Sequence, residues 1–190
     1  QKLSQEFPGL FLINQNKSRG KGSAVKEGML KAGGKIRLFT DADNSTDISH
    51  FDKMRPFFDK GYDVVIASRH PRDAKGATQA VSQSFLKRLS GILGNLFIQA
   101  VAVYGIWDTQ CGFKAFRDHA AVRIFSQIKI YRWGFDIEVL ALARKFHYKI
   151  GIIPAYWVND PKSHVKLFSY FQVLYETVKV RLNLILGKYR

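Results

Sequence analysis

The stretch DADNSTD, residues 41–47, sets three carboxylates within seven positions, directly after the strand-like run KIRLF. Asp41 and Asp43 stand two apart, so on extended backbone they project to the same side and can face one cation. Mg²⁺ or Mn²⁺ held by one or two carboxylates, and completed by diphosphate oxygens and water, is a common nucleotide arrangement. Such an ion neutralises charge on a departing diphosphate. The same residues also suit an ordinary turn, with Thr46 or Asp47 capping the next helix. On the stretch alone both readings stand. Upstream, RGKGS (19–23) offers Lys21 at a helix start, but without the spacing of a phosphate-binding loop.

The elements that must position these residues alternate in type. LFLIN (10–14), KIRLF and YDVVIASR (62–69) read as strands, with helices after RGKGS and over 47–61. The β–α–β–α–β order predicts an α/β domain with a mostly parallel sheet, whose ligands lie beyond the carboxyl ends of the strands. DAD sits at such an end. A polar, basic loop over 70–83 reads as mobile, followed by a helix over 84–106, a strand at CGFKAF, a helix from Trp133 to Phe146 and a strand at KIGIIPAYWV. Domain 1–160 is followed by a terminal helix over 161–190. Its Leu167, Phe171, Leu174, Val178, Leu182 and Ile185 repeat at helical spacing.

Lys and Arg outnumber Asp and Glu by 30 to 15 in 190 residues, a net charge of +15, which calls for an anionic partner. No zinc-finger, RRM or helix-turn-helix signature accompanies the charge, so a nucleic-acid module is disfavoured. The lone Cys111 excludes an internal disulfide, and no apolar run reaches membrane-spanning length.

Read in order, NKSRGKGSAVKEGMLKAGGKIRLFTDAD, ASR, DTQCGFKAFR, WGFDIEVL and IPAYWVNDPKS resemble inverting family 2 glycosyltransferases of GT-A (Rossmann-like) fold. Within them the polyprenyl-phosphate sugar transferases are most similar, the dolichyl-phosphate β-glucosyltransferase branch ahead of the mannose synthase branch. The resemblance implies hexose transfer from UDP-glucose or GDP-mannose to a polyprenyl or dolichyl phosphate, with Mg²⁺ or Mn²⁺, at the cytoplasmic face of a membrane. It casts Asp41 and Asp43 as the metal- and diphosphate-facing pair, with Lys21, Arg69, Lys162 and Lys166 at the donor. Asp108 and Asp136 become candidates for sugar or acceptor chemistry, although Asp108 equally suits a turn cap and Asp136 a solvated face. Arg88, Lys114, Arg117 and Trp133 fall on the acceptor side. The segments 84–106 and 161–190 become interfacial amphipathic helices on an anionic leaflet.

Two departures from the family pattern stand out. The PAYNE-like strand and the second, Asp-ended strand are missing, roughly the first 50 residues of the fold at about 30 per βαβ unit. Ser163-His164 stands where relatives carry Ser-Lys. The expectation is therefore a transferase that needs a separate N-terminal segment or a second copy, or a catalytically incomplete relative.

Overall fold

A computed structural model describes residues 6–7, 9–15, 19–79, 85–157 and 167–190. Lys162 and Lys166 lie outside the described residues. In chain order the elements are α1 (Lys21–Lys31), β1 (Ile36–Thr40), α2 (His50–Asp59), β2 (Val64–Ser68), β3 (Thr78–Gln79) and α3 (Phe85–Val101). There follow β4 (Phe113–Arg117), α4 (Asp118–Gln127), α5 (Phe135–Lys145), β5 (Ile150–Pro154), β6 (Tyr156–Trp157) and α6 (Leu167–Ile185).

The main sheet runs β1-β4-β2-β5 and is mixed rather than mostly parallel. β4 pairs antiparallel with both β1 and β2, and only β2 and β5 run parallel. The reason is where β4 starts. Asp108 binds Arg69 just past β2, and Gly112 lies against Asp41 just past β1. The chain is already at the carboxyl edge, so the next strand can only run back down. That strand is central and almost wholly buried, as expected for a sheet covered on both faces.

LFLIN is not a strand. Leu10, Phe11 and Leu12 are exposed coil, since a strand needs a hydrogen-bonded neighbour and no described strand pairs with them. The loop after Arg69 is fastened rather than free through residue 79. Asp73 accepts from Ser68 Oγ and from the N–H groups of Trp107 and Asp108, and β3 pairs with β6. One helix, α4, carried no sequence expectation; it buries Ala120, Ala121, Ile124 and Phe125 against the core.

Helix α6 turns its apolar stripe outward and a polar face inward. Phe171, Val178, Leu182 and Ile185 of the apolar stripe are exposed, while Glu176, Thr177, Val180 and Asn183 are buried. Burying polar groups needs partners, and these have them. Glu176 accepts from Gly134 N–H, Thr177 Oγ1 donates to Val173 O, and Asn183 donates to Tyr189 Oη. Helix α3 packs on α6 and likewise exposes Ile92, Leu93, Leu96 and Phe97.

Candidate active site

Asp41 leaves the end of β1 and takes Lys21 Nζ at 2.5 Å. Lys21 is brought there by the first turn of α1, whose N-cap is Gly20. Asp41 presses on Gly112 so closely that any Cβ there would overlap its carboxylate. This is why DTQCGFK carries a glycine before its lysine, a signal that spacing alone did not expose.

Asp43 is exposed, and its Oδ1 accepts the N–H of Ser45 at 3.0 Å across a turn in which Asn44 takes φ 53°. Burial pushes its pKa up, but the Ser45 N–H bond and the charge of Lys21 help hold it below the usual range. Neither Asp47 nor Thr46 is the helix cap: α2 has Ser49 at its N-cap, Asp47 accepts Ser49 N–H at 2.9 Å in the turn before it, and Thr46 is buried.

The donor set fits a divalent cation. Two carboxylates follow one strand end, and no group of three or more His, Cys, Asp or Glu is found among the described residues; such a pair, completed by phosphate and water, would suit Mg²⁺ or Mn²⁺ rather than a closed zinc cage. Ser45 Oγ, buried beside Asp43, has no hydrogen-bond partner among the described residues, leaving a polar atom over for a bound group.

Arg69 and Asp108 form a two-pronged pair: Nε to Oδ2 at 2.7 Å and Nη2 to Oδ1 at 2.8 Å, with Arg69 N–H also donating to Oδ2. The geometry is the fork that guanidinium and carboxylate form best. Burial pushes Asp108 up, but Arg69 overrides it and holds the carboxyl at about 2. The guanidinium also lies 5.2 Å from the Trp157 ring centre.

Lys114 is fully buried in β4 and donates to Asp136 Oδ1 at 2.5 Å and to Cys111 O at 2.6 Å. Burial raises the pKa of Asp136, against the pull of Lys114 and Lys21. Both residues face each other rather than a ligand. Burial also lifts the Cys111 thiol to about 11, so it is no nucleophile at neutral pH. Trp133 precedes α5 instead of sharing a helix face with Asp136; it is 40% exposed, and its carbonyl accepts from Gln110.

Lys21, Asp41, Asp43, Arg69, Asp108, Lys114, Trp133 and Asp136 thus gather at the carboxyl edge. Asp41 is within electrostatic reach of both Arg69 and Asp136. Arg117 does not join them. It ends β4 at the opposite edge and donates to Phe58 O and Tyr62 O, closing the carboxyl end of α2. The side chain of Arg88 lies outside the described residues. Sequence reasoning missed Asp73 and Glu176, which belong to no local pattern, and the role of Gly112 within DTQCGFK.

A mixed α/β sheet with acidic and phosphate-seeking side chains at its carboxyl edge is a GT-A-like glycosyltransferase fold. Solved structures agree on the fold. Glucosyl-3-phosphoglycerate synthase from Mycobacterium tuberculosis, in complex with Mn²⁺, UDP and phosphoglyceric acid, is 14% identical and superposes with a TM-score of 0.61 over 95% of this chain and 57% of that one. Mannosyl-3-phosphoglycerate synthase from Rubrobacter xylanophilus is 17% identical, with a TM-score of 0.57 over 91% and 54%. Residues 1–125 match glycosyl transferase family 2, and the chain belongs to that family. Among curated relatives, the dolichyl-phosphate beta-glucosyltransferase of Dictyostelium discoideum is 35% identical over 96% of this chain and 57% of its own length. The Homo sapiens protein of that name is 30% identical over 94% and 56%. The chain spans just over half the length of these relatives.

The Arg69–Asp108 pair carries a pH signature. The folded pKa of Asp108 lies below its unfolded value of about 3.9. Its contribution, on the order of 2 kcal/mol, is therefore complete above about pH 4 and lost as pH falls toward 2. Asp108→Asn should lower the urea midpoint at pH 7 and flatten its fall over that acid range. Chemical denaturation at a series of pH values checks this.

Proposed function

We propose that this chain acts as an inverting hexosyltransferase, passing glucose from UDP-glucose to a polyprenyl phosphate of the dolichyl type at a membrane surface. The observation that carries the reading is the pairing of Asp41 and Asp43 at the carboxyl end of β1, with Lys21 and Arg69 as the cations beside them. The names of the curated relatives support the sugar and the acceptor, and the solved structures that hold Mn²⁺ and UDP belong to the same fold.

A Mg²⁺ or Mn²⁺ on Asp41 and Asp43 would screen the diphosphate of the leaving nucleotide. Lys21 and Arg69 add fixed positive charge to the same group, and Asp108 holds the guanidinium in place, acting as a positioning residue. The acceptor needs no general base. A phosphate monoester with its second pKa near 6 is largely dianionic at neutral pH, so orientation and charge stabilisation carry the rate. This agrees with the commitment of Asp108 to Arg69 and of Asp136 to Lys114.

No helix among the described residues is long and apolar enough to cross a membrane. The outward stripe of α6, with Lys179, Arg181 and Lys188 around it, instead suits a surface lying in the lipid interface. The chain should cosediment with anionic liposomes, less so as salt rises, and a Phe171→Ser/Leu182→Ser variant should lose most of the binding. Absence of binding at low salt rejects the membrane reading.

Donor recognition is tested by calorimetric titration of UDP-glucose and GDP-mannose with and without Mn²⁺. The expected outcome is Mn²⁺-dependent binding of UDP-glucose, weakened at least about tenfold by Asp43→Ala. Preference for GDP-mannose reassigns the sugar. No binding by a folded chain points to the catalytically incomplete relative.

A further inference from the structure

Beside the paired carboxylates lies a cavity of about 340 Å³ lined by Arg19, Gly20, Lys21, Arg132 and Trp133. Three of its five lining residues are cationic and none is acidic. Lys21 is paired with Asp41, but neither Arg19 nor Arg132 meets a carboxylate among the described residues. Converging like charges repel, and folding alone gives no return for holding them together. A bound anion does. The cavity also opens at the N-terminus of α1, whose first turn carries no acidic residue and whose free N–H ends add positive potential.

The arrangement is built rather than accidental. Gly20 takes φ +114°, and a Cβ there would meet Tyr131 O at 2.6 Å and Arg132 Cγ at 3.1 Å. Ser23 N–H donates to Tyr131 O at 3.2 Å. The segment carrying Arg19 is therefore pressed onto the segment carrying Arg132. Trp133, also in the lining, is 40% exposed and adjoins Gly134, whose N–H donates to Glu176 of α6 at 2.7 Å. The cavity thus combines cations with an exposed indole that is joined to a helix with an outward apolar face.

We propose that this cavity takes the phosphate of a lipid phosphate monoester, with Arg19 and Arg132 as its ligands and Trp133 against the first apolar carbons. The inference deepens the transferase reading and rests on it for the identity of the acceptor. Lys21, which touches both the cavity and Asp41, would then stand between acceptor phosphate and donor diphosphate. Two guanidiniums suit a dianion because each offers a planar pair of N–H donors.

The test uses farnesyl phosphate as probe, followed by tryptophan fluorescence and calorimetry, with farnesol and inorganic phosphate as comparison ligands. Wild type should bind farnesyl phosphate, inorganic phosphate should compete weakly for the same site, and farnesol should not bind. Arg19→Gln/Arg132→Gln should weaken farnesyl phosphate at least about tenfold. Arg123→Gln, an exposed charge lost from α4, should leave binding unchanged, and circular dichroism should report a native fold for each variant. UDP-glucose affinity should survive in the double variant, which separates this site from the donor site. If wild type binds farnesyl phosphate through these arginines yet ignores UDP-glucose, the donor reading fails and this one stands. Unchanged farnesyl phosphate affinity in the double variant, an equal loss in Arg123→Gln, or no binding by wild type overturns the proposal.

Discussion

A lysine near the start of an inner strand is the constraint from which the site follows. Lys114 is fully buried in β4, where an ammonium without a partner would cost several kcal/mol. Its charge is met by Asp136 and by the carbonyl of Cys111, with the Phe39 ring 5.6 Å away. Asp136 can serve only if the N-terminus of α5 docks over the carboxyl edge of the sheet. That end of a helix favours a carboxylate, so the placement is consistent at both levels. Docking α5 there also brings Arg132, Trp133 and Gly134 beside Lys21 and Asp41. The ion pair thus fixes the wall of the site without itself touching a ligand.

The remaining charges are ordered in the same way, each catalytic candidate being held by a neighbour. Asp73 binds the backbone of Trp107 and Asp108, Asp108 holds Arg69, and Arg69 faces the edge. Behind α5, Glu138 accepts from the N–H groups of Lys129 and Ile130 and from Tyr189 Oη, while Glu176 accepts from Gly134. Two buried carboxylates therefore tie the loop before α5, and α5 itself, to the terminal helix and the chain end. The apolar outer face of α6 and the Trp133 segment thus share one connection, through Gly134 and Glu176.

What was legible in the sequence was local. A strand end followed by Asp-x-Asp, a strand ending in Arg69 and a Gly-rich helix start can each be read from adjacent residues, and all three meet at the edge. The direction of β4 was not legible, because strand polarity depends on where the preceding segment has been carried, here by Asp108 and Gly112. The apolar stripe of α6 could be read from its spacing, but the buried polar face opposite it could not. Hydrophobic spacing reports a face and not what covers it, and the polar face is buried only because Gly134 and Tyr189 supply partners from elsewhere in the chain. LFLIN had strand composition without a neighbour to pair with. Lys114 and Arg117 were both basic residues in one motif; one is sealed in the core and the other closes a helix at the far edge. Two residues of extended backbone, Ala115 and Phe116, separate these two fates.

The account makes the Lys114–Asp136 pair an organiser of the donor site and not merely a prop for the fold, and these roles can be separated. Removing one partner leaves a buried charge, so Lys114→Met alone should cost about 3–5 kcal/mol, whereas an apolar pair of similar volume is commonly neutral or stabilising. The decisive measurement is the Mn²⁺-dependent affinity of UDP-glucose for Lys114→Met/Asp136→Leu, in a variant whose urea midpoint is at or near that of wild type. The account predicts binding weakened at least about tenfold, because the field at Asp41 and the seat of α5 both change. A folded double variant that binds donor as tightly as wild type would contradict it.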